Sequence, residues 1–148
     1  MNSEPKGGGE LSEGPREPVG LADTSIFIAR EHDRSLGPLP ARLAVSVVTI
    51  GELQLGALTA SDRLTRARRA RTLAIARRSD PIPVSEAVMT RWAHLVRSCQ
   101  TAGASRATKG LDALLAATAL EHGLAVVTQD DDFDLIARAE PALDVIRV

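Results

Sequence analysis

The stretch LDALLAATALEHGLAVVTQDDDF, residues 111–133, contains the pattern that decides the fold. Residues 110–123 have apolar side chains at helical spacing, and Gly123 stands at the position after the helix where glycine is common. The apolar run 124–128 follows at once and is typical of a short buried strand. A helix that leads directly into a buried strand predicts part of a βαβ unit.

The rest of the chain repeats this alternation of apolar runs and helical segments. Strands are predicted at 19–23, 43–49, 82–84, 124–128 and 143–148. Helices are predicted to start near Thr24 or Ser25, at residue 50, at Ser61 or Asp62, at Ser85 and at residue 110. This alternation indicates an α/β fold with a mostly parallel sheet covered on both faces. The strand order stays open at this point.

Composition narrows the classes of function. The chain has 148 residues, which suits one domain, with 44% hydrophobic and 25% charged residues. It has no Tyr and one Trp, so an aromatic platform that stacks nucleic-acid bases is not expected. The single cysteine, Cys99, cannot form an internal disulfide, and no Cys/His cluster indicates zinc. With a net charge of −1, a nucleic-acid partner would have to be held by local positive charge.

The N-terminal segment differs in composition from the rest. Residues 1–18 are rich in Gly, Pro and Glu, which predicts a disordered tail ahead of a folded domain over residues 19–148. The segment has no apolar core of a secretory signal. No apolar run approaches the roughly 20 residues that span a bilayer. We therefore expect a cytoplasmic protein without a membrane partner.

Acidic residues follow the predicted strands or begin the predicted helices. Asp23 ends the first strand, Asp130 and Asp132 follow the last strand of the quoted stretch, and Glu52 and Asp112 lie near helix starts. Because the carboxyl ends of parallel strands meet at one edge of a sheet, we expect these acids to lie close together. Each acid alone also has a structural explanation, as a helix cap, a partner of the helix dipole or a turn residue.

A cluster of such acids has an energetic consequence. Two carboxylates about 4 Å apart repel each other by roughly 4 kcal/mol at an effective dielectric constant near 20. Several of them would be costly unless they were protonated or neutralised by a cation. Carboxylate oxygens select hard ions, so the cluster predicts a site for Mg²⁺ or Mn²⁺.

Positive charge is concentrated in one helical segment. Residues 63–78 contain seven arginines. Either this is a solvated helix face, or it is a rim that contacts the phosphates of a nucleic acid. Within this segment the candidates for such contacts are Arg66 and Arg69. Arg106 and Lys109, which lie just before Asp112, are further candidates.

Three segments together resemble a known family. ADTSIFIA (22–29), GELQLGA (51–57) and the quoted stretch 111–133 are similar, in order and spacing, to the PIN-domain ribonucleases, and specifically to the VapC toxins of bacterial toxin–antitoxin pairs. The resemblance covers roughly residues 19 to 148. It implies a PIN-like fold, a three-layer α/β/α sandwich with a mostly parallel sheet.

The resemblance also implies roles for individual residues. Four acids match the catalytic and metal-binding acids of the family: Asp23, Glu52, Asp112 and Asp130. Asp132 matches a fifth metal ligand, and Thr24 and Thr128 match small polar positions that orient a carboxylate or a water. Gln129 departs from the Arg or Asn that many relatives have.

The activity that the resemblance implies is endonucleolytic hydrolysis of RNA, such as a tRNA or an rRNA. It would depend on one or two Mg²⁺ or Mn²⁺ ions and leave a 5′-phosphate and a 3′-hydroxyl. The implied partners are a second copy of the chain, in a homodimer, and a VapB-type antitoxin. The alternative is a catalytically inactive PIN-like scaffold that binds proteins. Loss of the matched acids would indicate that alternative, and all four are present.

Overall fold

The computed structural model describes residues 18–108 and 110–148. The tail predicted over residues 1–18 therefore lies outside the described residues except for Pro18. Lys109 lies outside them as well, so its predicted contact with RNA stays a prediction.

Eleven elements follow one another along the described residues. The strands are β1 (Val19–Ala22), β2 (Arg42–Ala44), β3 (Ala125–Thr128) and β4 (Val145–Arg147). The helices are α1 (Thr24–Glu31), α2 (Val47–Thr59), α3 (Arg63–Arg77), α4 (Glu86–Thr101), α5 (Asp112–Glu121) and α6 (Phe133–Ala139). A short 3₁₀ segment, Ser105–Thr108, precedes α5.

The strands form one parallel sheet in the order β2-β1-β3-β4. In the two central strands, Leu21 is paired with Val126 and Ala22 with Val127. Leu21 and Val126 pack with residues of α4, α5 and α6, whereas Ala22 and Val127 pack with residues of α1, α2 and α3. Since neighbouring strand residues point to opposite faces, helices cover both sides of the sheet. The predicted three-layer α/β/α fold is confirmed.

Several helix ends agree with the sequence analysis. Asp62 caps α3 by accepting a hydrogen bond from Thr65 N at 2.8 Å, and Ser85 caps α4 by accepting one from Val88 N at 3.2 Å. Gly123 has φ of 64°, the left-handed conformation that ends α5. The helix α1 begins at Thr24, as predicted, and its cap is Asp23, in agreement with the structural explanation of that acid as a helix cap.

The strand predicted at 43–49 was wrong in its second half. β2 ends at Ala44, and α2 begins at Val47. The reason is Ser46, whose Oγ accepts a hydrogen bond from Val48 N at 3.0 Å and so caps a helix that starts inside the valine run. This local cap outweighs the preference of β-branched residues for strands.

Two further elements differ from the prediction. The strand predicted at 82–84 is reduced to one bridge between Ile82 and Ser46, because the next residue, Pro83, has no N–H to extend the pairing. The helix α6 was not predicted. Its seven residues give a short periodic pattern, although Phe133 and Ile136 are buried at helical spacing. In the described part of the chain, no helix combines the length and the apolar character needed to cross a bilayer.

Candidate functional site

The acids that follow the two central strands lie at the same edge of the sheet. Asp23 directly follows β1, and Asp130 and Asp132 follow β3, which pairs with β1. The backbone confirms their proximity, because Asp23 N donates a hydrogen bond of 2.9 Å to Val127 O. The carboxyl edge of the sheet is therefore where the predicted site residues meet.

Asp23 is buried and held by two donors. Its Oδ2 accepts hydrogen bonds from Thr128 Oγ1 at 2.9 Å and from Ser25 N at 3.4 Å. The second bond makes Asp23 the cap of α1. The carboxylate orientation is thus fixed by the start of α1 and the end of β3 together.

Ser25 completes this arrangement and was not predicted as a site residue. Thr128 Oγ1 has one proton, which it donates to Asp23, so in its 3.2 Å contact with Ser25 Oγ the serine must be the donor. Ser25 Oγ in turn accepts from Gln129 N at 3.0 Å, and Thr128 Oγ1 accepts from Asp130 N at 3.0 Å. Thr128 Oγ1 thus uses its proton and both lone pairs, and the two hydroxyls together fix the turn that carries Asp130. Only the sequence position of Ser25 beside the first acid could have suggested this.

Glu52 lies on the neighbouring helix. It is the sixth residue of α2, so the helix-dipole explanation, which needs a residue in the first turn, does not apply to it. Its Oε1 accepts a hydrogen bond of 2.9 Å from Thr24 Oγ1. Burial raises the pKa of Glu52 and the charge of Asp23 raises it further, whereas the bond from Thr24 lowers it. The hydrogen bond from Thr24 therefore restrains the orientation of the Glu52 carboxylate.

Asp112 has a strongly raised pKa, which reflects the other acids of the cluster. It is the first residue of α5 and is half-buried. Its pKa is raised from 3.8 to about 6, and burial is the largest cause. Four other carboxylates add to the increase through their negative charge: those of Asp23, Asp132, Glu52 and Asp130. The other four acids predicted from the sequence thus all lie close enough to Asp112 to raise the pKa of its carboxyl group.

Asp130 shows the same environment at the exposed side of the cluster. Burial raises its pKa, and the charges of Asp23, Asp132 and Asp131 raise it further. The nearby guanidinium of Arg34 acts in the opposite direction. Arg34 was not predicted to belong to the site, because only the fold brings the turn after α1 beside the turn after β3.

The donor set fits a hard divalent cation. It consists of carboxylate oxygens whose mutual repulsion a cation would relieve. Among residues 18–108 and 110–148, no three Asp, Glu, His or Cys side chains converge closely enough to form a complete ligand set alone. Mg²⁺ commonly keeps several waters and binds protein through one or two carboxylates.

The predicted RNA-contacting arginines occupy different environments. Arg66 Nη2 donates to Ala60 O at 3.1 Å, and Arg69 Nε lies 3.3 Å from Glu31 Oε1. Arg106 instead lines a cavity of about 560 Å³ that also contains Asp112 and Asp132. Of these three predicted arginines, Arg106 alone lines a cavity with the acids and makes no such contact among the described residues.

A second cavity, of about 370 Å³, lies on the other side of the cluster between α1, α2 and α3. Thr24 and Glu52 form part of its lining, with Gly56 and Thr65 further out. The acidic cluster therefore opens to space on two sides.

Comparisons with known proteins agree with this geometry. The PIN domain family matches residues 21–139. Ribonuclease VapC8 of Mycobacterium tuberculosis is 61% identical over 101 residues, which are 68% of this chain and 90% of that protein. Ribonuclease VapC4 of the same organism is 42% identical over 133 residues, 86% of this chain and 95% of that protein.

A solved structure extends the likeness to the fold. The crystal structure of VapBC-5 from Mycobacterium tuberculosis, a member of the VapBC family of toxin-antitoxin systems, matches with a TM-score of 0.75 and 33% identity. The match covers 88% of this chain and 98% of that chain. This chain belongs to the PIN-domain family and, within it, to the VapC proteins.

Proposed function

We propose that this chain is a metal-dependent endoribonuclease toxin of the VapC type, neutralised by a cognate VapB-type antitoxin. The observation that carries the proposal is the convergence of the acids on Asp112, whose pKa four other carboxylates raise. Relatives named as ribonucleases, at 61% and 42% identity, support RNA as the substrate class. Asp23, Glu52, Asp112 and Asp130 are the proposed catalytic acids, with Asp132 as a further metal ligand.

The site contains acids that would bind the cation and threonines that orient two of these acids. Asp23, Glu52, Asp112, Asp130 and Asp132 would hold one or two ions of Mg²⁺ or Mn²⁺. When bound, such an ion polarises the phosphate, activates water and stabilises the leaving oxygen. Thr128 and Thr24 keep the carboxylates of Asp23 and Glu52 oriented without direct contact to RNA. Their preset geometry lowers the cost of ordering the site during the reaction.

Hydrolysis at this site is expected to leave a 5′-phosphate and a 3′-hydroxyl. Water adds to phosphorus, the bond to the 3′ oxygen breaks, and that oxygen takes up a proton. The described chain offers no pair of nucleophile and histidine for a covalent alternative: Ser25 Oγ is occupied by Thr128 and the Gln129 amide, and Cys99 is buried.

The proposed protein partners are a VapB-type antitoxin and a second copy of this chain. The likeness to VapBC-5, whose solved structure is described as a member of a toxin-antitoxin family, supports the antitoxin. An arginine from such an inhibitor would suit the acidic cluster, because its guanidinium binds carboxylates in place of a metal cation. The homodimer rests on family membership.

The test is expression of the wild type, Asp23→Asn and Asp144→Asn in a bacterial host, followed by mapping of new 5′-phosphate RNA ends. Asp144 is exposed and precedes β4, at the opposite edge of the sheet, so it is the matched control. We expect discrete new ends with the wild type and the control, and none with Asp23→Asn. Absence of new ends and of cleavage by the purified wild type would favour the protein-binding scaffold instead.

A further inference from the structure

A cavity beside the acidic cluster contains positive charge that the proposed chemistry does not use. It is the cavity of about 560 Å³ whose lining includes Asp112 and Asp132, and it opens from the acids toward α6. Arg106, from the 3₁₀ segment, and Arg138, from the last turn of α6, line it as well. Its size is in the range of pockets that hold small ligands.

The two arginines are not placed to neutralise the acids around them. Asp134, which lines the same cavity, is paired with Arg147 at 2.9 Å. Within the part of the chain that the structure describes, neither Arg106 nor Arg138 lies within 4.0 Å of a carboxylate oxygen. The lining thus contains the carboxylates of Asp112, Asp131, Asp132 and Asp134 and two guanidinium groups that pair with none of them, so these two cations are available for an anion.

The helix α6 fixes the distance along the backbone between Asp132 and Arg138. Asp132 stands at the cap position of α6 and Arg138 lies six residues further along, about 9 Å along the helix axis. Phe133 and Ile136, buried in the core, hold this helix against the sheet. A ligand that touches both ends of α6 must therefore extend from the acids to the arginine. Leu135, between them in the lining, offers an apolar surface to a sugar or base.

We propose that this cavity is a subsite for the RNA strand, in which Arg106 and Arg138 bind the backbone phosphate next to the one that is cleaved. This inference rests on the proposed function and deepens it. RNA carries one anionic phosphate per nucleotide, so a strand cleaved at the acids must place another phosphate nearby. Guanidinium groups bind phosphate through paired hydrogen bonds, which suits a flanking phosphate that needs no metal. Arg138 was not a predicted site residue, since α6 was not predicted.

The test separates phosphate binding from folding and from chemistry. Arg106→Gln, Arg138→Gln and the double variant remove charge while keeping long side chains. The control is Arg91→Gln, because Arg91 pairs with Glu121 at the far end of α5 from Asp112. Cleavage of a single-stranded RNA that the wild type cuts is measured as kcat and KM over a series of salt concentrations. Thermal unfolding of each variant checks the fold.

We expect each single variant to raise KM about tenfold, with a smaller change in kcat. The plot of log kcat/KM against log salt should lose about 0.7 of its slope for each lost phosphate contact. Arg138→Lys keeps the charge but not the paired geometry, so it should retain the wild-type slope and show an intermediate KM. Arg91→Gln should match the wild type in both quantities.

Wild-type KM and salt slope in the double variant would overturn the subsite while leaving the proposed function intact. A fall in kcat alone, with KM and slope unchanged, would also overturn it. If the wild type itself cleaves no RNA, the proposed function fails, and binding then decides the subsite separately. In that case the wild type and the double variant are compared for single-stranded RNA binding in chelator by fluorescence anisotropy. Equal affinity would overturn the subsite.

Discussion

Thr128 donates a hydrogen bond of 2.9 Å to Oδ2 of Asp23, although the two residues are 105 positions apart. The same hydroxyl accepts from the backbone N–H of Asp130 at 3.0 Å. One side chain therefore joins an acid at the end of β1 to an acid after β3. The position of both carboxylates depends on this contact between strands.

Replacing Thr128 by Val, which has nearly the same shape, removes both bonds and the contact with Ser25 Oγ. We expect the free energy of unfolding to fall by about 1.5–3 kcal/mol, because a hydrogen bond to a charged group is lost in a buried place. Cleavage should fall about tenfold or more because Asp23 loses its orientation. Urea denaturation and initial cleavage rates measure the two effects.

Thr118→Val is the matched control for this change. Thr118 is also fully buried, but its hydroxyl donates to Leu114 O within α5 and does not contact the acids. We expect a smaller loss of stability and wild-type cleavage. Equal cleavage by both valine variants would show that Thr128 does not position Asp23.

The raised pKa of Asp112 predicts how the metal-free protein responds to pH. In the folded state the pKa is about 6, above the usual 3.8 of the unfolded chain. As the pH rises from 3.8 toward 6, the unfolded chain loses this proton first, so stability falls across that window and the loss is complete above it. Below the window the carboxyl is protonated in both states and has no such effect.

Asp112→Asn removes this titration. In chelator at pH 7 the variant should be more stable than the wild type, by on the order of 1 kcal/mol after screening by solvent is allowed for. The two unfolding free energies should converge toward pH 4, and cleavage by the variant should be lost. Parallel curves for the two proteins between pH 4 and pH 7 would contradict the electrostatic cluster.

Arg69 of α3 pairs with Glu31 of α1, and we expect this ion pair to stabilise the packing of the two helices. The side chain of Glu31 is 1% exposed, lies 3.3 Å from Arg69 Nε and accepts a bond of 3.0 Å from Thr72 Oγ1. Glu31→Gln should lower the free energy of unfolding by about 1–3 kcal/mol, because Arg69 loses its counter-charge in a mostly buried place. The exposed pair of Arg91 and Glu121 is the control, and Glu121→Gln should change stability by less than about 1 kcal/mol.

The sequence was sufficient for the fold class and for the placing of the acids. Strong patterns fixed β1, α4, α5 and β3, and the rule that strand ends share an edge placed Asp23 beside Asp130. The sequence could not show the side chains that fix these acids. Ser25 and Thr128 come into contact only when β1 and β3 pair. Arg69 pairs with Glu31 only when α3 packs on α1. Such contacts depend on tertiary packing, which periodicity does not encode.

Gly20 and Gly51 differ in the space available for an added Cβ, so alanine is expected to have opposite effects at the two positions. A Cβ at Gly20, in the central strand β1, would clash with Val127 Cγ2 and lie 3.1 Å from Pro40 Cγ. Gly20→Ala should therefore destabilise the protein by about 1–3 kcal/mol through overpacking. A Cβ at Gly51, inside α2, would have no atom within 4 Å, so Gly51→Ala should stabilise by about 0.5–1 kcal/mol. Opposite signs in urea denaturation are the expected result.

The most direct test of the central claim is cleavage of RNA by the purified protein with Mg²⁺ or Mn²⁺ and with chelator. It compares the wild type, Asp23→Asn and the opposite-edge control Asp144→Asn, and the product ends are identified chemically. We predict metal-dependent products with 5′-phosphate and 3′-hydroxyl ends from the wild type and the control, and none from Asp23→Asn or in chelator. Undiminished cleavage by Asp23→Asn, or by the wild type in chelator, would contradict the account of the acidic edge as a metal-dependent active site.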